Sequence, residues 1–179
     1  VKGNLVIELE GNKINLSLFP CGFVFNNQTL RKASIPPEQS VTKVITVENK
    51  ANYESMPYEE GTLIIYSHGY FSPDERAFLI HLERVLSSIR TSCGTTYLHT
   101  GDLDYGGVKI FQYIKKRIFP NLQPYLMDTQ THEQYKAYGE PIETSKLEKL
   151  QRTTEPLLQP LIDKICAEKQ VIEQESFLF

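Results

Sequence analysis

The rhythm of apolar and polar residues changes near Val41. Before it, residues 5–18 alternate, with Leu5, Ile7 and Leu9 set against Val6, Glu8 and Glu10, then Ile14, Leu16 and Leu18 beyond Gly11-Asn12. A period of two interrupted by glycine predicts a β-hairpin with a Gly-first turn. Pro20-Cys21-Gly22 ends it, Phe23-Val24-Phe25 is a short apolar run, and Ser34 to Ser40, with Pro36-Pro37, reads as a linker. Residues 1–40 therefore form a β-rich extension and linker that packs beside the main sheet and carries no evident chemistry.

From Val41 onward β-branched runs alternate with helical patterns, the signature of a mainly parallel sheet. Val41 to Val47 is the first such run and ends at Glu48-Asn49-Lys50; Thr62 to Tyr66 is the second and ends at Ser67-His68-Gly69. Ser72-Pro73-Asp74-Glu75 is a helix start, with Ser72 as cap, Pro73 first in the helix and Glu75 closing a capping box. Phe78, Leu79, Leu82, Val85, Leu86 and Ile89 then share one helical face. Thr95 to Thr100 is a third strand, and Val108, Phe111, Ile114 and Ile118 line the next helix, stopped by Pro120. Gln123 to Met127 is a short fourth strand before Asp128.

Beyond Asp128 the pattern is helical, over Thr131 to Tyr138, Ser145 to Arg152 and a segment from Pro156 or Pro160 to Lys169. Apolar Val171-Ile172 and Phe177-Leu178-Phe179 bracket acidic residues, so the tail is expected to dock and hold its carboxylates in place. The predicted fold is α/β and Rossmann-like: a central, mainly parallel four-stranded sheet flanked by helices, an N-terminal hairpin, and C-terminal helices. Two parts follow, 1–40 as the extension and 41–179 as the α/β domain with a helical end.

Composition changes this picture little. The 179 residues carry a net charge of -3, which is not the signature of a stand-alone nucleic-acid binder. No segment approaches the roughly 18 apolar residues of a membrane span. Cys21, Cys93 and Cys166 are widely spaced with no C-x-x-C pair, which argues against a disulfide framework or a zinc site and fits a reducing cytoplasm. Val1-Lys2-Gly3 shows neither an initiator Met nor a signal-peptide pattern, and reads as the start of an excised or processed piece.

The chemistry concentrates in His99-Thr100-Gly101-Asp102-Leu103-Asp104-Tyr105-Gly106-Gly107. Residues i and i+2 of a strand share a face, so Asp102 and Asp104 point the same way from a strand's carboxyl end. That end is where open α/β sheets bind ligands. If the first and third strands are neighbours, Glu48 lies one strand spacing away, roughly 5 Å. Three carboxylates that close repel unless a cation joins them, and hard oxygen ligands suit Mg²⁺ or Mn²⁺. In isolation each residue has a plainer reading: Asp104 and Asp128 as helix caps, Glu48 as a solvated strand end, His68 as a surface histidine. Lys109, Lys115, Lys116 and Arg117 either track a nucleic-acid backbone or form the wet side of a helix.

Four runs occur in order: Ile45-Thr46-Val47-Glu48-Asn49-Lys50, the His99 to Gly107 run, Tyr125-Leu126-Met127-Asp128, and Ile172-Glu173-Gln174-Glu175. A glutamate after the first strand and a D-x-D after the third is the Toprim arrangement. Together the four runs resemble the C-terminal Toprim-like domain of the JetD protein of Wadjet defence systems, over about Val41 to Phe179. They are similar, more distantly, to the Toprim domain of the topoisomerase VI A subunit and Spo11. The resemblance implies a domain that cleaves double-stranded DNA by phosphodiester hydrolysis, working with a condensin-like SMC complex against plasmids. It further implies Glu48 as metal ligand or acid/base, Asp102 and Asp104 as ligands of Mg²⁺ or Mn²⁺, and Glu175, with Glu173, completing the metal site. Lys50, Lys109 and Lys116 are the candidate DNA contacts, and a homodimer would serve a duplex-cutting enzyme. Thr100 stands where the family often has an aromatic residue, and Leu103 where isoleucine is usual. A DNA transesterase or a non-catalytic interaction module are the alternative functions.

Overall fold

The structure is a computed structural model that describes residues 1–89 and 94–178. Cys93 and Phe179, named above, lie outside the described residues. The chain opens with a two-residue strand β1 (Lys2–Gly3), followed by the hairpin of β2 (Val6–Leu9) and β3 (Asn12–Asn15). Leu9 pairs with Asn12, so the turn is Glu10-Gly11, one residue earlier than expected, with both φ angles positive (51° and 80°). Both signs match a type I′ turn, whose twist suits a hairpin. Leu16–Leu18 leaves the strand as a 3-10 turn. A short helix α1 (Asn27–Lys32), capped by Asn26, follows where no helix was expected.

The predicted alternation then holds. Strand β4 (Lys43–Val47) leads into an unexpected short helix α2 (Lys50–Ser55), and β5 (Thr62–Tyr66) leads into α3 (Pro73–Ser88). Helix α3 starts with the capping box of Ser72 and Glu75. Strand β6 (Thr96–Thr100) is followed by α4 (Tyr105–Arg117). The fourth strand shrinks to β7 (Gln123–Pro124), since Leu126 turns to φ 57° and breaks the extension. Helix α5 (Thr129–Gln134), capped by Asp128, strand β8 (Glu140–Pro141), helices α6 (Thr144–Gln151) and α7 (Gln159–Glu168), and strand β9 (Gln170–Val171) complete the chain.

The main sheet has the order β1-β5-β4-β6-β7, parallel except for β1, which runs antiparallel to β5 at one edge. The N-terminal segment thus supplies a fifth strand as well as the separate hairpin. Central β4 is buried on both faces, as its near-continuous β-branched run requires. Val44, Leu63, Ile65 and Tyr97 face the larger core with Phe78, Leu82, Phe111 and Ile114 of α3 and α4. Ile45, Val47 and Ile64 face the other way, with Met56 just beyond α2. Leu5, Ile7, Leu16, Leu30 and Ile35 join the larger core. Two of the predicted inner positions, Val85 and Ile89, pack only partly buried at its rim.

Candidate functional site

Strands β4 and β6 are neighbours in register, with Val47 opposite Thr100, so both leave the sheet at the same edge. Glu48 follows β4 directly, and its N–H donates to the Thr100 carbonyl at 3.0 Å. A Cβ on Gly101 would lie 2.4 Å from Glu48 Oε2 and 3.2 Å from His99 Nε2. Only glycine lets the Glu48 carboxylate lie this close against the strand end. There Glu48 Oε2 accepts the Asp102 N–H at 3.3 Å.

Leu103 is fully buried and exchanges two backbone hydrogen bonds with Ile172, at 2.8 and 3.3 Å. With Leu103 turned into the core, alternation turns Asp102 and Asp104 outward together. Asp104 caps α4, its Oδ1 accepting the Gly107 N–H at 2.8 Å. A Cβ on Gly107 would meet the Asp102 carbonyl oxygen at 2.1 Å, so this tight join of loop and helix also needs glycine.

The tail closes the site from the other side. Gln174 is fully buried: its N–H donates to Asp102 Oδ1 at 2.8 Å and its Nε2 to Thr100 Oγ1 at 3.0 Å. Gln174 Oε1 accepts the Asn49 N–H at 2.9 Å. Asn49 in turn caps α2 through its Oδ1 and donates from Nδ2 to Glu175 Oε1 at 2.8 Å. Buried Asn52 donates to the Phe177 carbonyl at 3.0 Å. The expectation of a docked tail with held carboxylates is met at Glu175. The role of Gln174 was missed, because a polar residue in a polar run gives no sign that it is destined for burial.

Burial pushes the Glu48 carboxyl up to about 8, helped by the negative charges of Asp102, Asp104 and Glu173 and opposed by the Asp102 N–H. Asp102 is raised by burial and by Asp104 and Glu175, against the Gln174 N–H. Glu173 is exposed, yet partial desolvation, then Asp102 and Asp104, push it up to about 7. None of Glu48, Asp102, Asp104 or Glu173 forms an ion pair with Lys, Arg or His among the described residues. The donor set is thus hard, oxygen-only and short of positive charge, which suits a divalent cation. Among the described residues no three His, Cys, Asp or Glu side chains meet closely enough to hold a metal ion as they stand.

Beneath the cluster, His99 is fully buried beside Phe111, its Nδ1 2.8 Å from Thr46 Oγ1 and its Nε2 without a hydrogen-bond partner among the described residues. Burial lowers it to about 3, so it is neutral. His68 is an exposed histidine paired with Glu75 at 3.0 Å. Lys50 pairs with Glu54 at 3.6 Å, Lys109 donates to Gln112 at 3.0 Å, and Lys116 is exposed farther along α4. Cys21 and Cys166 are free.

A pH-dependent stability follows from Glu48. Its folded value of about 8 exceeds the ordinary 4.5, so its contribution is present below pH 4.5 and is lost as pH rises through 8. In urea with a chelator, Glu48→Gln is expected to remove much of this slope, gaining about 2 kcal/mol over the parent at pH 9 after allowance for solvent screening. Equal stability of parent and variant across this range would show that the carboxylate is well solvated.

The fold and the cluster define a class: a mostly parallel α/β domain whose central strands end in uncompensated acids. The chain belongs to the family described as Wadjet protein JetD, C-terminal, which matches residues 5–179. It is similar to Wadjet protein JetD of Bacillus cereus (strain Q1), 33% identical over 180 residues that cover 98% of this chain and 43% of that relative. The chain spans less than half the length of that protein. Among the described residues no helix is long and apolar enough to cross a membrane.

Proposed function

We propose that the acid cluster is the catalytic centre of a metal-dependent DNA endonuclease, acting in a Wadjet-type defence system against plasmids. The family supports the setting. The observation that carries the chemistry is the gathering of Glu48, Asp102, Asp104 and Glu173 where β4 and β6 end. No ion pair offsets them among the described residues, so burial and mutual repulsion hold Glu48, Asp102 and Glu173 above their ordinary pKa. Glu48, Asp102 and Asp104 would hold Mg²⁺ or Mn²⁺, with Glu175 or Glu173 added from the tail. When bound, the ion supplies positive charge to the phosphate oxygens and acidifies water.

The chain's own residues do the rest. Gln174 and the Leu103–Ile172 bridge orient Asp102, and the Gly107 N–H orients Asp104. In the alternative role of acid/base in place of ligand, Glu48 holds or releases a proton near neutral pH, the range in which such a group is most effective. Double-stranded DNA and a condensin-like SMC complex are the partners in this reading, in the cytoplasm. Two copies related by a two-fold axis would present one site to each strand.

The test is cleavage of circular plasmid with Mn²⁺. Parent protein should nick or linearise it, and Asp102→Asn/Asp104→Asn should leave less than about 1% of the rate, the scale of removing key electrostatic groups from an active site. Undiminished cleavage by the variant would sink the assignment. A non-catalytic interaction module is the second reading, favoured by the lack of a preassembled three-ligand cage among the described residues. Failure of the parent both to cut and to bind millimolar Mn²⁺ would select it.

A further inference from the structure

The sheet edge that carries the acids has two flanks, and free positive charge lies on one of them. On the α2 flank Lys50 is paired with Glu54. On the α4 flank an open groove of about 710 Å³ is lined by Tyr70, Lys109, Tyr113, Lys116 and Arg117, among others. Lys115 in this groove is neutralised by Glu155 at 2.8 Å. Among the described residues Lys109 has the Gln112 amide as its hydrogen-bond partner and no ion pair, and exposed Lys116 and Arg117 have no ion pair. In a chain of net charge -3 this is a local reversal of sign.

An aromatic residue joins the groove to the acids. Tyr70 is 56% exposed and meets Tyr113 edge-on at 5.0 Å. The Tyr113 hydroxyl donates to the Phe71 carbonyl at 3.0 Å, which ties the Tyr70 loop to α4. Desolvation, then the charges of Tyr105, Glu48 and Tyr113, push the Tyr70 hydroxyl up, so Tyr70 lies within the field of Glu48 as well as at the groove. At about 1.5 Å of rise per residue along α4, Lys109 stands about 7.5 Å and Lys116 about 18 Å from Asp104. Duplex DNA carries a charge every ~3.4 Å of axis on each strand, so a backbone running along α4 offers a phosphate to each.

The geometry points to the groove between Tyr70 and α4 as the track by which the phosphodiester backbone of duplex DNA reaches Glu48, Asp102 and Asp104. Tyr70 makes the contact beside the scissile phosphate, and Lys109 and Lys116 hold the phosphates beyond it. This rests on the nuclease reading and adds the direction of approach, with the α2 flank and Lys50 left off the path.

The experiment measures anisotropy of a fluorescein-labelled duplex bound to the Asp102→Asn/Asp104→Asn protein, which separates binding from cutting. Adding Lys109→Gln/Lys116→Gln should weaken binding about tenfold and lower the salt slope by about 1.8, near 0.9 per phosphate contact. Tyr70→Ala and Tyr70→Phe should each weaken it about threefold, the scale of one lost hydrogen bond, because the hydroxyl is the group a phosphate accepts from. Lys13→Gln/Lys32→Gln on the N-terminal hairpin and α1 removes the same charge away from the groove and should leave binding unchanged. Equal weakening by both lysine pairs, no binding at low salt, or displacement of the duplex from the groove by polyglutamate at equal charge would each overturn the track. The nuclease reading fails separately, if plasmid cleavage by the parent survives loss of the two aspartates.

Discussion

Gln174→Ala is expected to lower stability in urea by about 3 kcal/mol, because burial makes unpaired polar groups costly. The fully buried amide joins Asn49 of the β4–α2 connection to Thr100 of β6. Its loss strands the Asn49 N–H, removes a partner of the Thr100 hydroxyl and leaves a small void. For a chain of this size the thermal midpoint should fall by roughly 6–12 °C. Gln174→Glu is the informative companion: it keeps an acceptor for the Asn49 N–H but adds a carboxylate to the cluster, so its deficit should grow with pH. A loss below about 0.5 kcal/mol for the alanine variant, the scale of an ordinary surface change, would show that the tail is not clamped.

Mn²⁺ titration calorimetry should show binding to the parent that falls more than about 100-fold in Asp102→Asn/Asp104→Asn, since losing even an outer partner of a ligand costs ~10–100-fold. Affinity should rise between pH 6 and pH 8 and level off above, because the Glu48 carboxyl, pushed up to about 8, must lose its proton to act as a ligand. Parallel titration of Glu173→Gln and Glu175→Gln identifies the outer acid. Glu173 faces the field of Asp102 and Asp104, whereas Glu175 is held by Asn49. Equal binding by the parent and the double variant would place the ion elsewhere.

What was legible in the sequence was what local chemistry decides. Ser72 with Glu75, Asp104 and Asp128 all cap the helices their spacing predicts, because a cap is settled within four residues. Buried strands β4 and β5 announced themselves through short apolar runs rich in β-branched residues. The six-residue helices α1 and α2 did not, being too short to show a period. Two-residue strands such as β1 exist only through their partners: Lys2 and Gly3 are strand because Ile64 and Leu63 lie opposite. In the site, the nearness of Glu48 to the aspartates followed only on the condition that the first and third strands are neighbours, which the pairing of β4 with β6 meets. The tail's part was legible only as a tendency to dock. Gln174 acts through Thr100, Asn49 and Asp102, each more than 70 positions away, and nothing local marks it.

The Leu103–Ile172 bridge also sets an order in time. A chain made from its amino end places Glu48, Asp102 and Asp104 on the growing sheet well before the residues that orient Asp102 exist. Gln174 follows Asp102 by 72 positions. Until then Asp102 lacks the Gln174 N–H and the Ile172 bridge that fix it. If the domain cuts DNA as proposed, its acids would gain their full order only once residues 172–174 have been made and docked.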